Sequence, residues 1–406
     1  MALSLPLPRF LTRPRPVASD RGIEAPAAAG GLDEQDRIAI ERRLERLYRT
    51  GMSPGVAFAL RRHGELVFNR AYGEADREQG RPLTVDTPIC LFSASKAVTA
   101  ILIHQLAAEG QLDLYQRVSH YLPEYGRNGK HRTTLMQVLM HRAGIPRISG
   151  DASAEDLFDD GRILQLMCDA EAHRPGRLQS YHAITGGFVL GEVIRRVTGD
   201  SPNVLLDRVI RQPLGMRYFR YGDDGAGVPA ARNYATGVPL KGVDYFLTHA
   251  VGAGLGEVID ASNDPRFQQV VIPAGNLYAT AEEACRFFQL LLDGGRYQGR
   301  QVLRPDVVRL ATTRTGRGSQ FDRTLMLPLE FSPGFMLGAR GPNIFGLGTP
   351  HAFGHLGFIS IYCWADPDRA LSAALLTTGK CVAGPLVPAV MAFQHDLNRR
   401  TAGRRQ

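Results

Sequence analysis

Residues 91–96 read Leu-Phe-Ser-Ala-Ser-Lys and place Ser93 three residues before Lys96, at the start of an apolar run. The run KAVTAILIHQLAAE, from Lys96 to Glu109, contains no Gly or Pro and stops at Gly110, which predicts a buried helix. Residues three apart share one helix face, so the two side chains are expected within contact range. A buried lysine loses part of its preference for the charged form, and a neutral amine can act as a base toward a hydroxyl. The alternative is a serine N-cap followed by a solvated lysine, and the spacing alone does not decide between them.

The composition is that of a globular chain of 406 residues, long enough for about two or three domain-sized units. No stretch approaches the ~20 unbroken apolar residues of a membrane helix, and the first residues lack the apolar core of a secretion signal. We therefore expect a cytoplasmic protein with no membrane span. The first nineteen residues lack acids and contain three arginines, so an organelle-targeting peptide stays open. Four prolines within residues 6–16 oppose the amphipathic helix that such a peptide needs.

The net charge of +8 does not indicate a nucleic-acid partner, because the arginines cluster at the two tails and on short helical faces rather than in aromatic-studded basic runs. Lysine occurs at only four positions, Lys96, Lys130, Lys241 and Lys380. Arginine cannot release its proton near neutral pH, so a lysine inside the apolar run fits a role that needs a titratable amine. The five cysteines are scattered without a CxxC pair, which indicates buried thiols in a reducing compartment.

The pattern along the chain predicts an α+β fold, an α/β sandwich in which an antiparallel sheet is flanked by N- and C-terminal helices. Residues 1–31 are expected to be a loosely ordered tail. Residues 32–116 and 271–401 are expected to form the sheet domain, with two strands joined around His63-Gly64. Residues 117–270 are expected to be a mostly helical inserted domain, and its Gly-rich part, residues 222–265, is assigned to the substrate pocket as a loop.

A second candidate nucleophile is Ser53, because residues 51–55 read Gly-Met-Ser-Pro-Gly and fit the G-x-S-x-G pattern of a nucleophile elbow. An elbow uses the backbone N–H after the serine as an oxyanion donor, and Pro54 has none. The predicted context also fails, since this stretch follows a helix and precedes a strand. Ser93 is therefore preferred over Ser53.

Residues 93–96 resemble the S-x-x-K motif of the serine β-lactamase and penicillin-binding-protein superfamily. Four further segments resemble motifs of its esterase-like members, namely LMQVLMHRAGIP, LQSYHAITGGFVLGEVIRRVTG, IPAGNLYATAEEACRFFQLLLDGG and FGHLGFISIYCWADPD. Together they span roughly residues 35–397 in the family's order. The chain is most similar to carboxylesterases of the class C β-lactamase type, the family VIII esterases, and to related acyltransferases. The resemblance implies the β-lactamase/transpeptidase-like fold.

The resemblance also implies catalytic roles. Ser93 corresponds to the acylated nucleophile, Lys96 to its activating neighbour and Tyr181 to the tyrosine of the second motif. A tyrosine near an ammonium has its phenolate favoured, so Tyr181 is expected to take the Ser93 proton and later to deprotonate the attacking water or alcohol.

The third motif departs from that of β-lactamases. His355-Leu356-Gly357 stands where they have Lys-Thr-Gly or Lys-Ser-Gly. By family analogy the oxyanion hole consists of the backbone N–H groups of Ser93 and Phe358. Gly357 is expected to let the substrate lie close to its strand, and His355 to offer the substrate a weak, pH-dependent charge.

The remaining histidines are weaker candidates. His351 and His355 have the spacing of a metal pair, but they flank a glycine at a strand entrance with no glutamate of a zinc-protease motif, so no metal is expected. His141 is interpreted as a hydrogen-bonded core residue. His182 follows Tyr181 directly, and the sequence leaves open whether it lines the pocket or only fills space.

Two missing groups favour esters over β-lactams as substrates. Where β-lactamases read Tyr-x-Asn, this chain has Ala183 in place of the asparagine, and His355 replaces the lysine that attracts the β-lactam carboxylate.

The expected function is a cofactor-free serine hydrolase that cleaves small carboxylic esters through a Ser93 acyl-enzyme. The alternatives are an acyltransferase that uses an alcohol or amine, a β-lactamase or D-amino peptidase/amidase, and a non-catalytic binding protein of the same fold. The sequence leaves the oligomeric state unknown.

Overall fold

The centre of the fold is one antiparallel sheet built by both ends of the chain. The computed structural model describes residues 19–148, 153–238, 242, 245, 247–249, 252–316 and 318–402. Within this part of the chain the strands are ordered, from edge to edge, Ser19–Arg21, Glu65–Asp76, Gly55–Arg62, Leu371–Thr377, Ile361–Asp366, Phe353–Gly357 and Met336–Leu337. The short strand Arg81–Pro82 pairs with Glu65–Asp76, and all pairings in this central sheet are antiparallel. The predicted antiparallel sheet is confirmed.

The hairpin that begins the sheet has a two-residue turn at His63-Gly64, as predicted. Arg62 faces Glu65 across it, and both turn residues have left-handed backbones, with φ of 53° and 84°. Such turns match the right-handed twist of the flanking strands. The strand Leu371–Thr377 then pairs with the first strand of the hairpin and joins the two ends of the chain.

The central sheet separates two apolar layers. Along the strand Gly55–Arg62, Ala57 and Ala59 belong to one buried cluster, whereas Phe58 and Leu60 belong to the other. This alternation follows the two-residue period of a strand whose two faces are both covered.

One helix pair covers each face of the central sheet. The helices Glu34–Arg49 and Leu386–Thr401 pack together on one face, and Ser95–Ala108 and Ala281–Leu292 lie on the other. The helix Ala281–Leu292 begins after a local signal, because Thr280 forms a capping box with Glu283. The expected sandwich of a sheet between helices is confirmed.

The remaining elements are the helix Thr185–Thr198, of 14 residues, and shorter pieces. Further helices are Val118–Tyr121, Leu135–Leu139, Asp160–Asp169, Thr185–Thr198, Pro202–Leu206, Leu255–Asn263, Pro265–Gln269 and Pro305–Thr312. Small sheets pair Ile89–Cys90 and Arg220–Tyr221 with Leu277–Ala279, Arg296–Tyr297 with Arg300–Gln301, Gln320–Asp322 with Leu327–Leu329, and Tyr234–Thr236 with Gly379–Cys381. Most of these short helices fall in residues 117–270, whose division from the sheet domain stays our prediction.

The expected loose tail over residues 1–31 is corrected in its described part. Residues 1–18 lie outside the described residues, but Ser19–Arg21 is an edge strand of the central sheet and Ala27–Gly30 is a 3-10 turn. The guanidinium of Arg62 donates to the carbonyl of Gly30 at 2.6 Å, and this buried contact fixes the segment. The composition of this segment gives no sign of its ordered structure, because the contact that orders it joins residues 32 positions apart.

The expected substrate loop, residues 222–265, is more regular than its composition indicates. The strand Tyr234–Thr236 pairs in parallel with Gly379–Cys381, and the helix Leu255–Asn263 lies near its end. Part of this segment, including residues 239–241, lies outside the described residues. Its assignment to substrate binding stays a prediction.

A search of the described helices for an apolar run of membrane-spanning length found none.

A close contact at Gly187 sets the distance between the helix Thr185–Thr198 and the segment around Ala274. A Cβ on Gly187 would lie 2.4 Å from the Cβ of Ala274 and 2.5 Å from its backbone nitrogen. We expect Gly187→Ala to lower the free energy of unfolding by about 1–3 kcal/mol, because overpacking forces backbone shifts. Urea unfolding tests this, with Gly341→Ala as the control, since a Cβ there meets no atom within 4 Å. Equal stability of the two variants would contradict the packing argument.

Candidate active site

Ser93 lies in a single 3-10 turn, Phe92–Ala94, immediately before the helix Ser95–Ala108. Its neighbours in the turn are buried, whereas Ser93 itself is partly exposed. Ser95 fixes the turn, because its hydroxyl donates to the carbonyl of Phe92 at 2.5 Å and accepts from the backbone N–H of Leu277 at 3.0 Å. The buried apolar helix predicted after Ser93 is confirmed, and the structural role of Ser95 was not foreseen.

The amine of Lys96 is held by three oxygen atoms. Its Nζ lies 3.0 Å from the Oγ of Ser93, 2.5 Å from the carbonyl oxygen of Ala183 and 3.0 Å from that of Ala274. No carboxylate contributes to the pKa shift, and burial lowers the pKa of Lys96 well below its ordinary value. A neutral amine has two N–H bonds and one lone pair. In this neutral form the two carbonyls, which can only accept, would engage both N–H bonds and leave the lone pair for the hydroxyl of Ser93, whereas in the ammonium form the third N–H donates to the Oγ of Ser93.

Tyr181 lies on the other side of this pair. Its ring centroid is 4.9 Å from the Nζ of Lys96. Burial raises the pKa of Tyr181 above its ordinary value, and a side-chain hydrogen bond with Ser93 only partly opposes this shift. The expectation that an ammonium favours a phenolate is therefore not met, because burial raises the pKa of Tyr181 and also disfavours the ammonium form of Lys96.

Asp322 positions Tyr181 and was not found from the sequence. It is fully buried, and its Oδ1 accepts backbone N–H bonds from Tyr181 at 3.1 Å and from Thr324 and Leu325 at 2.9 Å. Its charge adds to the rise in the pKa of Tyr181. The local turn is typical of aspartate, but the contact with Tyr181 spans 141 residues and leaves no local pattern.

His355 is buried beside Tyr181, with their ring centroids 6.1 Å apart. Its Nδ1 lies 2.7 Å from the carbonyl oxygen of Leu356 and must donate to it, which leaves Nε2 as an acceptor. Burial is the largest cause that lowers the pKa of His355 to about 3, and Lys96 would lower it further only in its ammonium form. The expected pH-dependent charge is corrected: His355 is neutral throughout the physiological pH range.

Gly357 is required by the protein's own backbone. A Cβ there would lie 2.2 Å from the carbonyl oxygen of Leu91, so the strand Phe353–Gly357 ends against the segment that leads into Ser93. The next residue, Phe358, places its ring 5.4 Å from that of Phe92. Close approach of Leu91 is thus a structural reason for this glycine, and close approach of substrate stays a prediction. Substrate contacts of Gly357 and Phe358 stay predictions.

Two more histidines lie behind Tyr181. His141 accepts a backbone N–H bond from His182 at 3.2 Å and packs its ring 4.6 Å from that of Tyr181, which confirms it as a hydrogen-bonded core residue. His182 is fully buried, and burial lowers its pKa to about 3. It lines a cavity of about 20 Å³ together with Lys96 and Thr99, and neither ring nitrogen has a hydrogen-bond partner among the described residues.

The rejected candidates have structural contacts. The hydroxyl of Ser53 donates to the carbonyl of Gly55 at 2.6 Å and accepts from the backbone N–H of Gly379 at 2.9 Å, so it ties the sheet edge together. His351 is exposed and its Nδ1 lies 2.8 Å from the carboxylate of Asp368, apart from the buried His355.

A partly exposed serine in the turn before a helix that packs against an antiparallel sheet, beside a buried lysine and tyrosine, indicates a serine hydrolase of the β-lactamase fold. The family described as Beta-lactamase matches residues 41–385 of this sequence. The chain belongs to the β-lactamase family.

Relatives and solved structures agree with this assignment. The chain is 29% identical to the esterase/β-lactamase LipL of Mycobacterium tuberculosis over 378 residues, which are 89% of this chain and 86% of LipL. A penicillin-binding-protein homologue from Caulobacter crescentus superposes with a TM-score of 0.76 at 27% identity, covering 91% of this chain and 99% of its own. A family VIII carboxylesterase superposes with a TM-score of 0.77 at 23% identity, covering 94% and 99%.

The buried histidines predict loss of stability in acid. Burial lowers the pKa of His104 from 6.5 to about 4, so the unfolded chain binds its proton first as the pH falls. The stability that neutral His104 provides is complete above pH 6.5 and is lost as the pH falls from 6.5 to 4. We expect His104→Gln to reduce the slope of the unfolding free energy against pH by up to about 1.4 kcal/mol per pH unit in this window.

Urea unfolding at pH 7 and at pH 5 measures this slope. The matched control is His131→Gln, because His131 is exposed. A wild-type slope in His104→Gln would show that this histidine does not couple protonation to folding.

Proposed function

We propose that the protein is a serine carboxylesterase that cleaves small carboxylic esters through a Ser93 acyl-enzyme. The observation that carries the proposal is the environment of Lys96, a buried amine held by two backbone carbonyls with its third contact on the hydroxyl of Ser93. A solvated lysine after a helix cap would not have this arrangement. The amine is therefore suited to accept the proton of Ser93.

The first half of the proposed reaction acylates the enzyme. The Oγ of Ser93 attacks the ester carbonyl while its proton passes to the neutral amine of Lys96, which becomes an ammonium. Collapse of the tetrahedral intermediate breaks the bond between the carbonyl carbon and the alcohol oxygen. The alkoxide takes the proton back from Lys96 through the hydroxyl of Tyr181, which is hydrogen-bonded to Ser93. In this role Tyr181 relays a proton and does not need to be a phenolate.

The second half restores the enzyme. Water attacks the acyl carbon and gives its proton to the amine of Lys96, and the bond between the carbonyl carbon and the Oγ of Ser93 breaks. The serine oxygen receives the proton, and the carboxylic acid leaves. Backbone N–H groups of Ser93 and Phe358 are the donors we propose for the oxyanion in both halves.

Two features of the site support esters over β-lactams. The carbonyl of Ala183 binds Lys96, and its methyl side chain offers no amide to a substrate. His355, with a pKa of about 3, carries no positive charge at neutral pH with which to bind a carboxylate. A site with these polar partners would reject substrates that lack the matching groups, and their absence here lets a simple ester bind without leaving a buried polar group unpaired. The relative LipL, an esterase/β-lactamase, supports an ester substrate without separating the two substrate classes.

The nucleophile is tested with an aryl ester of a short-chain acid and with a fluorophosphonate probe. We expect the wild type to hydrolyse the ester and to be labelled, and Ser93→Ala to do neither. Ser53→Ala is the matched control and should keep both properties, because Ser53 contacts only backbone. Labelling that persists in Ser93→Ala would contradict the assignment.

The role of Lys96 is tested by Lys96→Met, which keeps the length of the buried side chain. We expect kcat for the ester to fall by about 10²–10⁴, the usual contribution of a positioned general base.

A parallel assay with the β-lactam nitrocefin tests the substrate class. The ester proposal fails if wild-type turnover of nitrocefin exceeds that of the ester.

A further inference from the structure

All three lysines that the structure describes are buried. Lys96, Lys130 and Lys380 each donate to backbone carbonyls, and each lies over an aromatic ring. Lys96 belongs to the active site described above. Lys130 lies over the ring of Tyr125 in the helical part of the chain, and its amine donates to the carbonyl of Cys168 at 3.0 Å. Lys380 has no part in the proposed reaction, although it lies beside the serine turn.

Lys380 joins the central sheet to that turn. Its amine donates to the carbonyl of Thr377, the last residue of a central strand, at 2.5 Å, and lies 5.0 Å from the ring centroid of Phe92. The ammonium form of a lysine is attracted to the face of an aromatic ring, and burial lowers the pKa of Lys380 to about 7, so this form is partly populated at neutral pH. Phe92 directly precedes Ser93. Lys380 therefore links the ring of Phe92 to the end of a strand of the central sheet.

The ring of Phe92 also contacts Phe358, at a centroid distance of 5.4 Å and an interplanar angle of 35°. Phe358 follows Gly357 at the end of the strand Phe353–Gly357. Lys380, Phe92 and Phe358 thus form one stack, which we call the Lys380 stack. Phe92 directly precedes Ser93, whose backbone N–H is one proposed donor of the oxyanion hole. The other proposed donor is the backbone N–H of Phe358 itself.

Phe92 needs such support, because its backbone is left-handed with φ of 46°. A residue with a Cβ is strained in this conformation and keeps it only when its surroundings impose it. A small rotation at Phe92 would change the direction of the Ser93 N–H, which is the next backbone donor along the chain.

We propose that Lys380 is a positioning residue for the oxyanion hole, which acts by holding Phe92 against Phe358. The inference rests on the proposed acyl chemistry, because only that chemistry forms an oxyanion at Ser93. Lys380 touches no reacting atom, so it affects catalysis through the direction of the two N–H groups.

The test compares an oxygen ester with the matching thionoester, in which sulfur replaces the carbonyl oxygen. A preorganised oxyanion hole stabilises a developing oxyanion, and removal of one donor costs about 10²–10³ in kcat. Sulfur accepts hydrogen bonds weakly, so the thionoester depends less on the hole. The ratio of kcat for the oxygen ester to kcat for the thionoester therefore reports the alignment of the hole.

We expect Lys380→Met to lower this ratio about tenfold, a partial loss of one donor, with KM changed less than twofold. The matched control is Lys130→Met, the same substitution at the buried lysine away from the site, and it should keep the wild-type ratio. Phe92→Leu removes the ring from the stack and should lower the ratio as well, which provides a second variant if Lys380→Met does not fold.

The possible results separate this inference from the proposed function. An active wild type whose ratio is unchanged in Lys380→Met or Phe92→Leu overturns the positioning role alone, and shows that the stack only stabilises the fold. An equal fall of the ratio in Lys130→Met overturns it too, since any buried lysine would then have the same effect. A wild type that hydrolyses neither ester overturns the proposed function and this inference with it.

Discussion

The burial of one amine is the constraint on which the site depends. Lys96 is surrounded by an apolar helix, two backbone carbonyls and the ring of Tyr181, with no carboxylate among the contributions to its pKa shift. An isolated charge in such a place is costly, so the surroundings lower the pKa of Lys96 and favour the neutral amine. The same surroundings keep Tyr181 and His355 uncharged. Catalysis by this site therefore begins from a set of neutral groups, and charge appears only when Ser93 reacts.

The fold supplies the two carbonyls from distant parts of the chain. Ala183 precedes the helix Thr185–Thr198, and Ala274 packs against Gly187 on that helix. The close contact at Gly187 thus fixes where the second carbonyl lies relative to Lys96. The packing of this helix and the surroundings of the catalytic amine therefore depend on the same residues.

Much of this arrangement was predictable, because its signals are local. The run after Lys96 predicted a buried helix, and two strands around His63-Gly64 predicted a hairpin; both are confirmed. Charge states were predicted less well, because they depend on burial by residues far away in sequence. The expected phenolate of Tyr181 and the expected charge of His355 both failed for this reason. The contact of Asp322 with Tyr181 had no sequence signal at all, since it joins two otherwise ordinary segments.

The most direct measurement is the titration of Lys96 itself. The chain has only four lysines, so ¹³C labelling at Cε gives at most four side-chain NMR signals, and Lys96→Met assigns one of them. The account predicts that the Lys96 signal has the shift of a neutral amine at pH 8 and titrates with a midpoint well below the ordinary lysine pKa of 10.5. A signal that titrates near 10.5 would show a charged amine at neutral pH and would contradict the role of Lys96 as the base.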